Sequence, residues 1–136
     1  MKQLLTFFLL SFTLTSISQE VAVLKYNGGG DWYSNPTALP NLIEFANKNI
    51  QTNIRKNPTT IAVGNTDIVN FPIVFLTGHG NVFFSEDEAK NLRDYLISGG
   101  FLHISDNYGL DKYIRRELKK VFPELKLQEI PKNHPI

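Results

Sequence analysis

The side chain best placed by its neighbours to do chemistry is His79. It stands between Gly78 and Gly80 in the stretch FPIVFLTGHGNVFFSEDE, directly after the apolar run 71–77. A strand, a sharp glycine turn and an acidic helix start give the layout of a nucleophile elbow, yet histidine is a poor stand-alone nucleophile. The flanking glycines leave the imidazole uncovered. It therefore suits a general base, a metal ligand or a hydrogen-bond donor, and equally a histidine that only bonds neighbouring loops. Asp106, followed by Asn107 and Tyr108, is the second candidate. It can orient His79 or share its ligand, or it can cap the helix that follows. Asp31 is the third, beside Trp32 and Tyr33. An aromatic pair next to a carboxylate occurs in sugar sites and also in packed interiors. Asp31, His79 and Asp106 form the candidate catalytic set.

The candidate ligand-binding set is wider. It takes Asn27, Gly28, Gly29, Gly30, Trp32 and Tyr33 from the first segment, and Gly78, Gly80 and Asn81 from the second. Asn107 and Tyr108 come from the third, and His134 from the loop near the chain end. The glycine run 28–30 permits close backbone approach, exposed amides for an anion, or simply a tight turn. It matches neither the dinucleotide fingerprint nor a P-loop. No G-x-S-x-G supports a serine triad, and Asp31, His79, Asp106 and His134 lack the short spacings of a zinc site. No metal and no cofactor are predicted. His103, inside a strand, is expected to be packed rather than functional.

The elements that must position these residues alternate. Residues 21–26 (VAVLKY) read as a strand ending at the glycine cluster. Leu39, Leu42, Ile43, Ala46 and Ile50 recur at helical spacing, so the pattern predicts a helix over 39–49. Strands are expected at 59–63 and 71–77, the second buried on both faces. Ser85 and Glu88 form a capping box for a helix that carries Ala89, Leu92, Tyr95 and Leu96 inward and stops at Gly99-Gly100. A strand follows at 101–105. A helix over 111–121 has Ile114, Leu118 and Val121 as its apolar stripe, and Arg115, Arg116, Lys119 and Lys120 read as a solvated face. LKLQEI, 125–130, offers one more strand. This βαβ alternation predicts a single α/β layered domain around a largely parallel sheet. Ligands bind such sheets beyond the carboxyl ends of the strands, which is where all three chemical segments fall.

Composition sets the surroundings. Residues 1–18 have a positive start, an apolar run and small residues near position 18, the pattern of a signal peptide; an N-terminal membrane anchor is the other reading. The expected product is exported, periplasmic or extracellular, with residues 19–136 as its domain and no membrane span in the mature chain. The chain has no cysteine, which excludes disulfides and cysteine nucleophiles. Without Lys2, 13 basic and 13 acidic residues remain, so nothing argues for nucleic acid or an anionic surface as a partner. The chain ends abruptly in IPKNHPI, and the domain is expected to be incomplete at its C-terminus.

The segments LKYNGGGDWYSNP, LPNLIEFA, VFLTGHGNVFFS, LRDYLISGGFLHISDNYG, YIRRELKKVFP and HPI together resemble the bacterial family known as the domain of unknown function numbered 4159. The resemblance covers nearly all of the chain after residue 18. It implies a class I glutamine-amidotransferase-like fold, a flavodoxin-like three-layer α/β sandwich with a mainly parallel sheet. That superfamily often places a cysteine at the strand-turn-helix elbow, where this chain has His79, so cysteine-based amidotransfer is excluded. Relatives usually carry a second aspartate where Ser105 stands, and they usually continue well past the His-Pro element. The resemblance implies a fold and a site but no reaction. The function expected is a non-catalytic exported module binding a small ligand, a glycan or an envelope protein. The alternative is a hydrolase-like enzyme for a small or carbohydrate substrate, with His79 as base, Asp106 orienting it and Asp31 as a second carboxylate.

Overall fold

A computed structural model describes residues 19–135, so the signal-peptide reading of residues 1–18 lies outside the described residues. The chain runs β1 (Val21–Lys25), α1 (Ala38–Asn49), β2 (Thr59–Ala62), a 3-10 turn (Thr66–Asn70), β3 (Ile73–His79), α2 (Glu86–Ile97), β4 (Phe101–Tyr108) and α3 (Asp111–Val121). The strands form one parallel sheet in the order β2-β1-β3-β4. This is the mainly parallel α/β sandwich expected from the alternation of elements.

Strand periodicity separates two buried clusters. Ala22 and Leu24 of β1, Ile61 of β2 and Val74 and Leu76 of β3 face α2 and α3, joined by Leu92, Tyr95, Ile114 and Val121. Val21 on the opposite face packs with Leu39 and Ile43 of α1, with Val23 and Phe75 partly buried beside them. The second face is only half covered. Leu42 is 59% exposed and Ile50 67%, so two of the five positions read as inward on α1 face solvent. At the far end of that face His103 is exposed and stacked on Phe75, centroids 5.3 Å apart at 7°. The expectation of a packed His103 fails because α1 reaches β1 and Phe75, whereas β4 is the edge strand.

Two strands, β3 and β4, differ from their expected bounds for identifiable reasons. The Phe71 amide closes the 3-10 turn on Ile68 O, and Pro72 has no N–H, so β3 begins at Ile73 and runs on to include Gly78 and His79. β4 continues through Asp106, Asn107 and Tyr108 because β3 pairs with it that far. The fifth strand did not form. Residues 125–130 are irregular, and Leu125, Leu127 and Ile130 are exposed. Their apolar spacing breaks the two-residue period after Leu127, so no single face can be buried.

The helix ends follow their local chemistry. Ser85 Oγ accepts the Glu88 amide and Glu88 Oε2 accepts the Ser85 amide, closing the capping box at 3.2 and 2.8 Å. The helix stops at Gly99, which adopts φ 102°. On α3 the stripe of Ile114 and Val121 is buried, but so is a charge, Glu117, at 0% exposure. Glu117 Oε2 accepts the Phe84 amide at 2.8 Å, and its carboxylate pairs with Arg116 and Lys120 at 2.5 and 2.8 Å. The same two cations donate to Val82 O and Phe84 O, each at 2.7 Å. Arg116 and Lys120 are therefore not a merely solvated face: they clamp the 82–84 segment to α3. Burial alone would raise the Glu117 pKa, but Lys120, the Phe84 amide and Arg116 together hold it below the ordinary glutamate value. Replacing Glu117 with Ala strands the Phe84 amide and uncouples two cations. The expected loss is about 2–4 kcal/mol in urea unfolding, with Glu117→Gln losing less because its amide oxygen still accepts.

Candidate functional site

The order β2-β1-β3-β4 brings the carboxyl ends of β1, β3 and β4 side by side, and the chemical segments follow them. From the first loop Asp31 reaches the end of β3. Its Oδ1 accepts the His79 amide at 2.5 Å and its Oδ2 meets His79 Nδ1 at 2.8 Å. The His79 amide lowers the Asp31 pKa, burial opposes this, and the imidazole lowers it further. An ionised carboxylate only accepts, so Nδ1 carries a proton, and in the neutral imidazole Nε2 is then the acceptor. The side chain of His79 is half exposed, so the ring is within reach of a ligand or a water.

The close fit of the two loops requires glycine. A Cβ on Gly30 would lie 2.6 Å from Asn81 O, and one on Gly78 would lie 2.1 Å from the Tyr26 hydroxyl. In their absence the Gly30 amide donates to Asn81 O and the Phe83 amide to Asn27 O, at 3.0 and 2.8 Å. The Asn81 amide group donates to Gly28 O. The run 28–30 is thus zipped against residues 79–83, with Gly29 alone of the three facing open space; Gly80 is open as well. Tyr26 donates to Thr77 O at 3.1 Å. Burial, and then the charge of Asp31, push its pKa up to about 12, so it remains a donor throughout the neutral range.

Asp106 does not orient His79. Its carboxylate accepts the amides of Leu110 and Asp111 at 2.9 and 3.2 Å, at the start of α3. The bland alternative, a helix cap, is what forms, and Asp31 takes the orienting role. Asn107 ties β4 to the first loop: it donates to Ser34 Oγ at 2.9 Å and accepts from Asn35 Nδ2 at 2.5 Å. Tyr108 is opposite His79 in the β3–β4 register and 83% exposed. Trp32 and Tyr33 meet edge to face, Trp32 half-buried and Tyr33 exposed. His134 lies in the irregular segment after α3, its amide on Pro131 O. Among the described residues no three His, Asp or Glu side chains gather as a metal site.

Several contributors escaped the sequence reading. Ser34 and Asn35 sit beside Trp32 and Tyr33 in the first segment, and their pairing with Asn107 of β4 has no local signal in the sequence. Glu88 accepts from Asn27 at 3.0 Å and Arg116 donates to Asn81 at 3.1 Å, linking both helices of one layer to the loops. Thr77 is buried, and its Oγ1 has no hydrogen-bond partner among the described residues. Such an orphan costs about 1–3 kcal/mol. An apolar strand read as continuous packing gave no signal for it.

The Asp31 link carries a pH signature. Because its folded pKa lies below the unfolded value of about 3.9, its contribution is present above that pH and is lost as pH falls through the folded value. The His79 amide is expected to exchange faster with solvent below about pH 4, beyond the intrinsic acid trend, while the Leu76 amide in the core does not. In Asp31→Asn the imidazole keeps a neutral partner and this acid step disappears. Amide exchange followed by NMR measures both.

Residues 20–136 match the family model described as Domain of unknown function (DUF4159). No curated protein matches the sequence. The match takes in β1 through α3, and with them Asp31, His79 and the loops that hold them, so this chain belongs to the family described as Domain of unknown function (DUF4159).

Proposed function

We propose that the chain is an exported, non-catalytic ligand-binding module of amidotransferase-like fold, whose site is the Asp31–His79 edge of the sheet. The observation that carries this reading is how the polar groups there are spent. Both Asp31 oxygens serve His79, both Asp106 oxygens serve α3, and Asn107 bridges Ser34 and Asn35. What is presented outward is one imidazole edge beside exposed aromatics, which suits holding a ligand rather than driving a two-carboxylate reaction. A parallel sheet with α1 on one face and α2 and α3 on the other agrees with an amidotransferase-like arrangement. The chain has no cysteine to act as that superfamily's nucleophile. The positive and apolar start of residues 1–18 supports export, and with it a glycan or an envelope protein as the ligand.

A hydrolase-like alternative has one observation in its favour. A carboxylate-oriented histidine with a free Nε2 can serve as general base toward a water. In that version Asp31, not Asp106, orients the base. Two measurements on the purified chain and on His79→Ala separate the readings. Binding to an array of immobilised glycans, reduced in His79→Ala while the melting temperature holds, is the outcome expected. Turnover of p-nitrophenyl esters or glycosides by the parent, abolished in His79→Ala, would replace the binding module with the hydrolase.

A further inference from the structure

Behind the Asp31–His79 edge, on the α1 face of the sheet, the structure holds a cleft of about 210 Å³. Trp32, Tyr33 and Phe75 are among its walls, and Thr60, Thr77 and Ser34 supply hydroxyls. It begins one residue past Asp31 and two residues before His79 in the chain. We propose that this cleft binds one neutral sugar ring, the apolar face of the ring against the aromatics and its hydroxyls on the threonines and serine. The proposal rests on the ligand-binding reading and gives it a chemical class.

Size, charge and an unmet hydrogen bond each narrow the occupant. The cleft is smaller than the roughly 300–1,000 Å³ of a drug-sized site, so it takes a single ring and not a chain. None of the residues that line it is charged. A charged ligand would lose its hydration there without a counter-charge, so the occupant is neutral. Thr77 is among the lining residues, and its Oγ1, shielded from solvent and without a partner among the described residues, gains one when the side chain turns about χ1 toward a bound ring. Ser34 Oγ accepts from Asn107, which leaves its own proton free to donate. A purely aromatic ligand would cover the rings but leave these hydroxyls unpaired. A ring that is apolar on its faces and hydroxylated around its rim satisfies both. Lys25 lies over the Trp32 ring, 5.6 Å from its centroid, and helps hold the indole in place.

Trp32 is the chain's single tryptophan, so tryptophan emission reports on the wall of this cleft, and Thr77→Val separates the cleft from the neighbouring His79 edge. The test titrates the purified chain with the methyl glycosides of glucose, galactose, mannose and N-acetylglucosamine and with glucuronate by Trp32 emission, and with phenol and indole, which fluoresce themselves, by calorimetry. At least one methyl glycoside is expected to give a saturable shift below about 50 mM, with glucuronate weaker by roughly tenfold and phenol and indole inert. Thr77→Val, which removes the hydroxyl at nearly constant shape, is expected to weaken that binding about fivefold or more. It should melt no lower than the parent, because an orphan polar atom has gone. The proposal is overturned if no glycoside shifts the emission, if phenol or indole binds as well as the sugars, or if Thr77→Val binds like the parent. A chain that binds the glycan array through His79 without any Trp32 response keeps the binding module and removes this cleft as its ring site. Failure of both assays removes both.

Discussion

A carboxylate buried without water must be satisfied by the protein itself, and Glu117 imposes that constraint on this fold. Its partners are the Phe84 amide and the side chains of Arg116 and Lys120, which in turn hold the carbonyls of Val82 and Phe84. The stretch between β3 and α2 is thereby docked onto α3 through charge-assisted bonds on both its donors and its acceptors. That stretch continues directly from Gly80 and Asn81, and Asn81 is itself held by Arg116. The position of the loop after β3, and so the frame around His79, is referred back to one buried charge on the last helix.

From there the site assembles mainly through backbone. Gly28 and Gly30 admit the main chain of residues 79–83 at distances no side chain would allow, and amide-to-carbonyl bonds join the two loops. Asp31 then contacts both the amide and the ring of His79, so the same carboxylate fixes where the residue is and which nitrogen carries its proton. Asn107 anchors the other end of the first loop to β4. A histidine held this way is pre-organised, with little freedom left to lose when a ligand arrives.

Much of the architecture was legible because it depends on local pattern. The capping box at Ser85, the glycine stop at Gly99 and the strand periodicities are written within a few residues of where they act. The limits of local pattern appear at β3, where Pro72 delayed the strand, and at 125–130, where apolar residues without a two-residue period found no sheet to join. Charge was least legible. Arg116, Glu117 and Lys120 sit in a run that looks solvated, and only the docking of α3 against residues 82–84 turns them into a clamp.

The sequence by itself determined that three glycine- and Asx-bearing segments follow parallel strands, and hence that Asp31, His79 and Asp106 belong to one edge. Periodicity and turn chemistry are short-range properties, so one chain suffices to read them. Which carboxylate meets the histidine was decided only by the tertiary structure. β1 and β4 both flank β3. Asp106 lies within β4, where it takes the first amides of α3, whereas Asp31 lies on a glycine-led loop free to fold back over the strand end. Contacts 48 residues apart are set by strand order and loop direction, and neither is encoded in the local pattern at His79.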